Sequence, residues 1–367
     1  FTHTINDLAI CLAYAIMGKN DPLSAACNVV KGYHNQFPLR ENELECLYSL
    51  VAMRLLTTVT KSAINKEKEP DNEYLLVSEK PAWDALKKWR EVDPRLAYFA
   101  FRHVCGLCSH PANDHFNKWA KSQSVNLTNL FPSLEKRAAI HVDMSVGSTW
   151  LGHASKFGDV DFAKYKFGQL QKQNEQAIIA GGYLEHRAVY TSDAYVKEGN
   201  NGKEYRSVHL GVDFWVDEGT PLTALFDGKV KVVHNNANDK DYGPTIILEH
   251  TLENGPNFYT LYGHLSVSSL SLLIEDQPVK AGQLIGYIGA SVENGGWLPH
   301  LHLQVMLDML GNTHDFPGVA LPNDVSVWKS VCPDPNLFFN LPELSAKSDQ
   351  EPHDLIAYRK KHLGASL

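Results

Sequence analysis

Asn257–Val305 contains FYTLYGHL (258–265) and GGWLPHLHLQV (295–305), and its last turn of sequence decides how the chain folds around it. His300 and His302 stand two residues apart. Successive side chains of a β-strand alternate faces, so this pair projects from one side of a strand, whereas on a helix it would diverge. Upstream, VHLGVDFWV (208–216) places His209 and Asp213 four apart, again an even spacing. On an extended or slightly bulged strand these two also share a face. Two strands therefore offer convergent imidazoles and a carboxylate, and His264 in YGH adds a fourth histidine to the neighbourhood.

Those residue types suit a metal. Zinc accepts nitrogen and oxygen donors in a tetrahedron, and a catalytic site keeps three protein ligands with one position open. Two histidines and one aspartate fill such a set. Water at the open position has its pKa lowered from about 15.7 to roughly 7. Histidines left over are candidate acids or bases, because an imidazole titrates close to neutral pH.

HLGVDFWVDEGTPLTALFDGKV (209–230), YGPTIILEH (242–250), FYTLYGHLS (258–266), GQLIGYIG (282–289) and PHLHLQV (299–305) resemble, in order and spacing, the lysostaphin-type (LytM-like) zinc metallopeptidases. The resemblance runs from about Ser207 to Leu307. It implies a small antiparallel β-sheet domain with one Zn²⁺ per chain, held by His209, Asp213 and His302. It also implies that His264 and His300 form the catalytic pair that positions and deprotonates water and stabilises the oxyanion. Peptidoglycan as substrate is an implication of the same kind.

The 367 residues are long for one domain, and 44% hydrophobic with 21% charged residues reads as globular. A net charge of −8 speaks against nucleic acid, which needs a basic patch, and no apolar run is long enough for a membrane span. The expected class is multi-domain α+β: a helical lobe over 1–110, a connector over 111–200, a β domain with the metal site over 201–310, and an extended tail with a terminal helix over 311–367. Six cysteines, at 11, 27, 46, 105, 108 and 332, are too sparse for a disulfide scaffold. They read as small apolar residues in a reducing, cytoplasmic setting. Cys105 and Cys108 make a C-x-x-C between His103 and His110, but no second ligand pair of ribbon spacing follows.

Helical patterns begin near Ile5, Pro22, Glu41, Ala82 and Pro94, with EKEPDNEY (67–74) as a solvated loop. THTINDLAICLAYAIMGK, GYHNQFPL and EPDNEYLLVSEKPAW resemble the C-terminal helical lobe of aminoglycoside-phosphotransferase or choline-kinase-like proteins. Neither HxDxxxxN nor a DFG-like triplet is present, so the resemblance carries no kinase chemistry here. In the connector, Phe162–Ala180 reads as one amphipathic helix and LEHRAVYTSDAYV (184–196) as a strand-like approach. Asn126-Leu127-Thr128 fits a glycosylation sequon, and Gly199–Lys203 reads as a hairpin turn, too short for a phosphate loop. Strands are expected over Lys229–His234, Thr245–His250 and, broken at Gly282, Val279–Ile288. Trp328 and Phe338 read as anchors of the tail. HDLIAYRKKHLGASL (353–367) reads as a basic helix and resembles the lead-in to a class III, pyridoxal-phosphate-dependent aminotransferase.

Trp297 lines a substrate groove or covers a sheet edge, and Tyr205 and Arg206 are candidates to bind an oxyanion or carboxylate. His3, His34, His115, His141, His153, His186, His234, His250 and His314 read as core or surface residues, His250 being near enough to support a ligand. The function expected is a zinc-dependent hydrolase of a peptide or small amide- or amine-bearing substrate. The alternative is a zinc-binding regulatory or sensing module within a larger phosphotransferase–aminotransferase chain, with those further domains as partners.

Overall fold

A computed structural model describes residues 4–72, 77–135, 138–150, 152, 156, 159–252, 255–344 and 352–363. His3, His153 and the end of the final helix at Gly364 lie outside them. The fold is mixed helix and sheet, in two compact units: Phe1–Pro111 with Lys197–Glu204, and Ala112–Val196 with Tyr205–Leu367.

The first unit is helical because its apolar residues recur at helical spacing and its helix starts carry capping residues. Its helices are Thr4–Ala15, Pro22–Gln36, Glu41–Lys68, Glu79–Arg90 and Pro94–Val104. Asp21 precedes Pro22 and accepts from Ser24 N at 3.1 Å; Asp93 precedes Pro94 and accepts from Arg95 N and Leu96 N at 2.8 and 3.0 Å. Each pair supplies a cap and a preset first turn. Leu12, Leu44, Leu47, Val51, Leu55, Trp89 and Phe101 are fully buried in its core. Trp89 stacks on Tyr48 with ring centroids 5.1 Å apart. The Gly199–Lys203 turn joins strands Val196–Gly199 and Gly202–Tyr205, and Lys197 Nζ meets Asp21 Oδ2 at 2.7 Å.

No disulfide joins cysteines among the described residues. Contrary to the expectation of burial, Cys11 and Cys46 are exposed on their helices, and Cys332 is the buried one. Burial pushes the Cys105 thiol up to about 11, which disfavours the thiolate that redox or metal chemistry needs.

The second unit is built on an eight-stranded sheet. Its order is Ala138–Val142, Ala177–Gly181, Val212–Trp215, Leu301–Met306, Asn257–Gly263, Gly243–Thr251, Gly228–Asn236 and Pro278–Val279. The first two strands run parallel, joined through helix Val160–Gln173, and every other pairing is antiparallel. The residues read as a connector thus contribute two strands to the sheet. The expected helix to Ala180 ends at Gln173, and AIIAG (177–181) is a strand with all five residues buried. Burial on both faces removes the alternation that marks a strand in sequence.

The approach over 184–196 is not a continuous strand. It is irregular, with a single bridge from His186 to Val208 and a 3₁₀ turn at Asp193–Tyr195. Glu185 and Arg187 point inward here, so the apolar residues do not set the path. Asn126 of the sequon caps the short helix Leu127–Leu130, accepting from Thr128 N at 3.0 Å.

After the last sheet strand the chain is less extended than expected. Val319–Ala320 pairs with Val208–His209, and helices Val325–Val331, Asn336–Phe339 and Pro352–Leu363 follow. Phe338 is fully buried among Phe116, Trp119, Phe226 and Phe258, and Trp328 is buried too. No helix among the described residues is long and apolar enough to cross a membrane.

His250 is a core residue. Its Nδ1 meets Asp227 O at 2.9 Å, its Nε2 meets Thr260 Oγ1 at 2.8 Å, and its ring stacks on Phe258. Burial lowers its pKa to about 4. The unfolded chain, titrating near 6.5, therefore binds more protons between these values. The stabilisation is fully present above pH 6.5 and is lost as pH falls toward 4, at about 1.4 kcal/mol per pH unit for one proton. Urea unfolding at pH 7 and pH 5 should show this loss, and His250→Gln should reduce the difference between the two. An unchanged difference would assign the acid sensitivity to other groups.

Candidate metal centre

Register across the sheet brings the sequence-predicted residues together. Leu301–Met306 pairs antiparallel with Val212–Trp215, and His302 lies directly opposite Asp213. His209 reaches the same point from the preceding short strand, Val208–His209. Between them Gly211 passes so close to the neighbouring strand that an added Cβ would lie 2.6 Å from Leu303 O and 2.7 Å from His302 Cε1. Only glycine leaves that space for the imidazole.

His209 Nε2, His302 Nδ1 and Asp213 Oδ1 form a triangle with sides of 2.9, 3.1 and 3.2 Å. All three residues are buried, and their ligand atoms lie within 4.8 Å of one another. A tetrahedral zinc with ligand bonds of about 2.0 Å places its donors about 3.3 Å apart, close to these separations. The donor set fits the metal in kind and in spacing.

Second contacts set which nitrogen of each ring carries the hydrogen. His209 Nδ1 donates to Gly182 O at 3.1 Å, and His302 Nε2 donates to Gln304 Oε1 at 3.0 Å. Each leaves the other nitrogen's lone pair facing the triangle. Gln304 is fixed in turn by donating to Pro317 O at 3.1 Å. Burial, then the charge of Arg187, lowers the pKa of His209 to about 4, which keeps it the neutral imidazole a metal requires. Burial raises the Asp213 carboxyl, but His209 and Arg187 beside it outweigh that and hold it well below the usual range.

The other two histidines are neighbours of the triangle. His264 and His300 have ring centroids 4.2 Å apart, and Trp215 stacks on His300 at 5.7 Å. His264 Nδ1 donates to Asn294 O at 2.9 Å and His300 Nδ1 to Leu298 O at 2.7 Å, so Nε2 is the proton-accepting atom of both. His300 Nε2 is 3.9 Å from Asp213 Oδ1. Burial lowers the pKa of each ring, and His300 beside it lowers that of His264 further. His264 also holds φ at 64°, a left-handed conformation uncommon outside glycine and kept here by hydrogen bonds to Tyr242 O and from Gly289 N.

Residues 207–314 match the model of Peptidase family M23. The chain carries an M23 domain. The DD-carboxypeptidase/endopeptidase Mpg of Neisseria meningitidis is 32% identical over 115 residues, 31% of this chain and 23% of its own length. A hydroxylysine kinase of Xenopus laevis is 32% identical over 88 residues, 24% of each chain. The catalytic domain of the antimicrobial peptidase lysostaphin from Staphylococcus simulans is a similar solved structure, at 27% identity over 33% of this chain and 80% of that one, with a TM-score of 0.23. The chain spans about a quarter of the length of these curated relatives.

Beyond the M23 match, the structure adds residues that spacing alone had passed over. Arg187 Nη1 donates to Asp213 Oδ2 at 2.6 Å, and Arg187 Nε donates to Glu185 Oε2 at 3.0 Å. Glu185 Oε1 meets His141 Nε2 at 2.8 Å, so His141, read above as a plain core or surface residue, ends a buried charge network behind the M23 site. Burial raises the Glu185 carboxyl, but Arg187 and His141 bring it below its ordinary value. Gln304 had a signal: it stands two residues after His302 and so shares its strand face. Arg187 and Glu185 had none, since they lie on irregular backbone.

Of the other candidates, Arg206 and Trp297 line the cavity over the His209–Asp213–His302 triangle, while Tyr205 is 56% exposed and does not. Trp297 Nε1 donates to Asp241 O at 3.2 Å, and Lys240 Nζ lies 4.7 Å from its ring centre.

Proposed function

We propose that this chain is a zinc-dependent hydrolase of a peptide or amide bond, with His209, Asp213 and His302 as metal ligands and His264 and His300 as catalytic residues. The observation that carries the reading is the triangle of three oriented donors with a second, separately oriented histidine pair against it. A purely structural zinc site closes its fourth position with a protein ligand and has no use for such a pair.

A bound zinc ion supplies a Lewis acid for the carbonyl and lowers the pKa of water at its open position. The chain supplies the rest. His264 Nε2 and His300 Nε2 are the atoms that accept a proton from the attacking water and return it to the leaving amine. Once protonated, the same imidazoles donate toward negative charge developing on the carbonyl oxygen. Trp215, stacked on His300, restricts the angle at which that ring works. The 88-residue similarity to a hydroxylysine kinase supports the reading that part of the chain is phosphotransferase-like in origin.

Purified protein should contain about one zinc per chain, as a three-ligand catalytic site requires. Chelation should abolish turnover of peptide amides and added zinc restore it. Undiminished turnover in zinc-depleted protein would refute the metal-dependent reading.

A further inference from the structure

The metal centre opens into a cavity of about 350 Å³. One wall of it comes from outside residues 207–314: Met144, Val160, Ala163, Phe167 and Val189 line it. Val160, Ala163 and Phe167 occupy one side of helix Val160–Gln173, at the three- and four-residue spacing that aligns side chains. Met144 and Phe167 belong to an apolar cluster with Val142 and Ile179, on which Val189, Trp215 and Leu298 pack while remaining half-buried.

Trp215 connects this wall to the chemistry. Its ring lies 4.7 Å from that of Phe167 on one side and 5.7 Å from that of His300 on the other. An apolar group seated on the wall is therefore next to the side chain assigned to proton transfer. The volume is near the lower end of about 300–1,000 Å³ that small-molecule sites span. A glycyl substrate would leave the half-buried faces of Val189, Trp215 and Leu298 wetted, whereas a bulky apolar group would remove them from water.

Resting on the hydrolase reading above, we propose that this wall is a subsite for a bulky apolar side chain adjoining the scissile amide, so that the substrate is a small peptide-like amide with an aromatic or branched aliphatic group. The helix and strands inserted before residue 207 give the domain this preference. Selectivity thus comes from the part of the unit that the family match leaves out.

The test uses zinc-loaded protein and calorimetric titration with L-phenylalanine hydroxamate and glycine hydroxamate. The phenylalanine compound should bind at least about tenfold tighter, the return for burying one aromatic side chain. Two separate variants that fill the wall, Ala163→Phe and Val189→Trp, should each reduce that preference to within about threefold. Equal affinities, no binding of the phenylalanine compound, or a preference that survives in both variants overturns the subsite. Failure of the hydrolase reading is distinguishable: the binding preference would stand while neither N-acetylphenylalaninamide nor triglycine is turned over.

Discussion

His302→Ala is expected to strip the chain of zinc, while His300→Ala keeps the zinc and lowers kcat by about 10²–10⁴-fold, the range a positioned acid–base group contributes. The two histidines are two residues apart on one strand, and their nitrogens do different things. His302 Nδ1 is within 2.9 and 3.1 Å of the other two donors, so its loss leaves a two-ligand site. His300 turns Nε2 toward the same carboxylate from 3.9 Å and is stacked on Trp215, outside the triangle. His264→Ala should behave as His300→Ala does. Metal analysis on the three variants, beside kcat with excess zinc, separates the roles. Zinc loss in His300→Ala, or zinc retention in His302→Ala, would sink this division.

That these residues meet at all was partly legible in the sequence because it rests on parity, whereas the split of roles between them came from the resemblance alone. Even spacings put His300 with His302 and His209 with Asp213 on common faces, whatever the rest of the sheet does. Which strands are neighbours is not a local property. The facing of His302 and Asp213 depends on antiparallel register between segments almost ninety residues apart, and it was the family resemblance that supplied it. The helices of the first unit were legible for a local reason: Asp21-Pro22 and Asp93-Pro94 mark their own helix starts by cap and ring geometry.

The misreadings nearest the candidate site have a common cause, since they fall where the chain is buried on every side or follows irregular backbone. AIIAG (177–181) follows a helix after three polar residues and is buried throughout, so a two-residue period could not show itself. Glu185 and Arg187 flank His186, whose bridge to Val208 is isolated, so no run of alternating residues marks the direction of their side chains. Only the fold shows that Arg187 points at Asp213 and that Glu185 holds Arg187 from behind. They matter to the candidate site because a carboxylate whose Oδ2 is already held by Arg187 presents Oδ1 to the triangle before a metal arrives.

Arg187→Met tests that last point and should be among the most destabilising single changes in the second unit, by about 3–5 kcal/mol in metal-free protein. Arg187 is 4% exposed and contacts two carboxylates, Asp213 at 2.6 Å and Glu185 at 3.0 Å. Methionine nearly matches its volume and removes its charge, leaving two buried acids without their cation. The penalty is that of uncompensated charge, so removing one of those charges should return part of it. The double variant Arg187→Met, Glu185→Gln is accordingly expected to be more stable than Arg187→Met alone. Zinc binding to the folded state would mask the effect by mass action, and unfolding in urea must be followed with chelator present. A loss below about 1 kcal/mol in Arg187→Met, no larger than that of an exposed ion pair, would show that the network does not hold Asp213 in place.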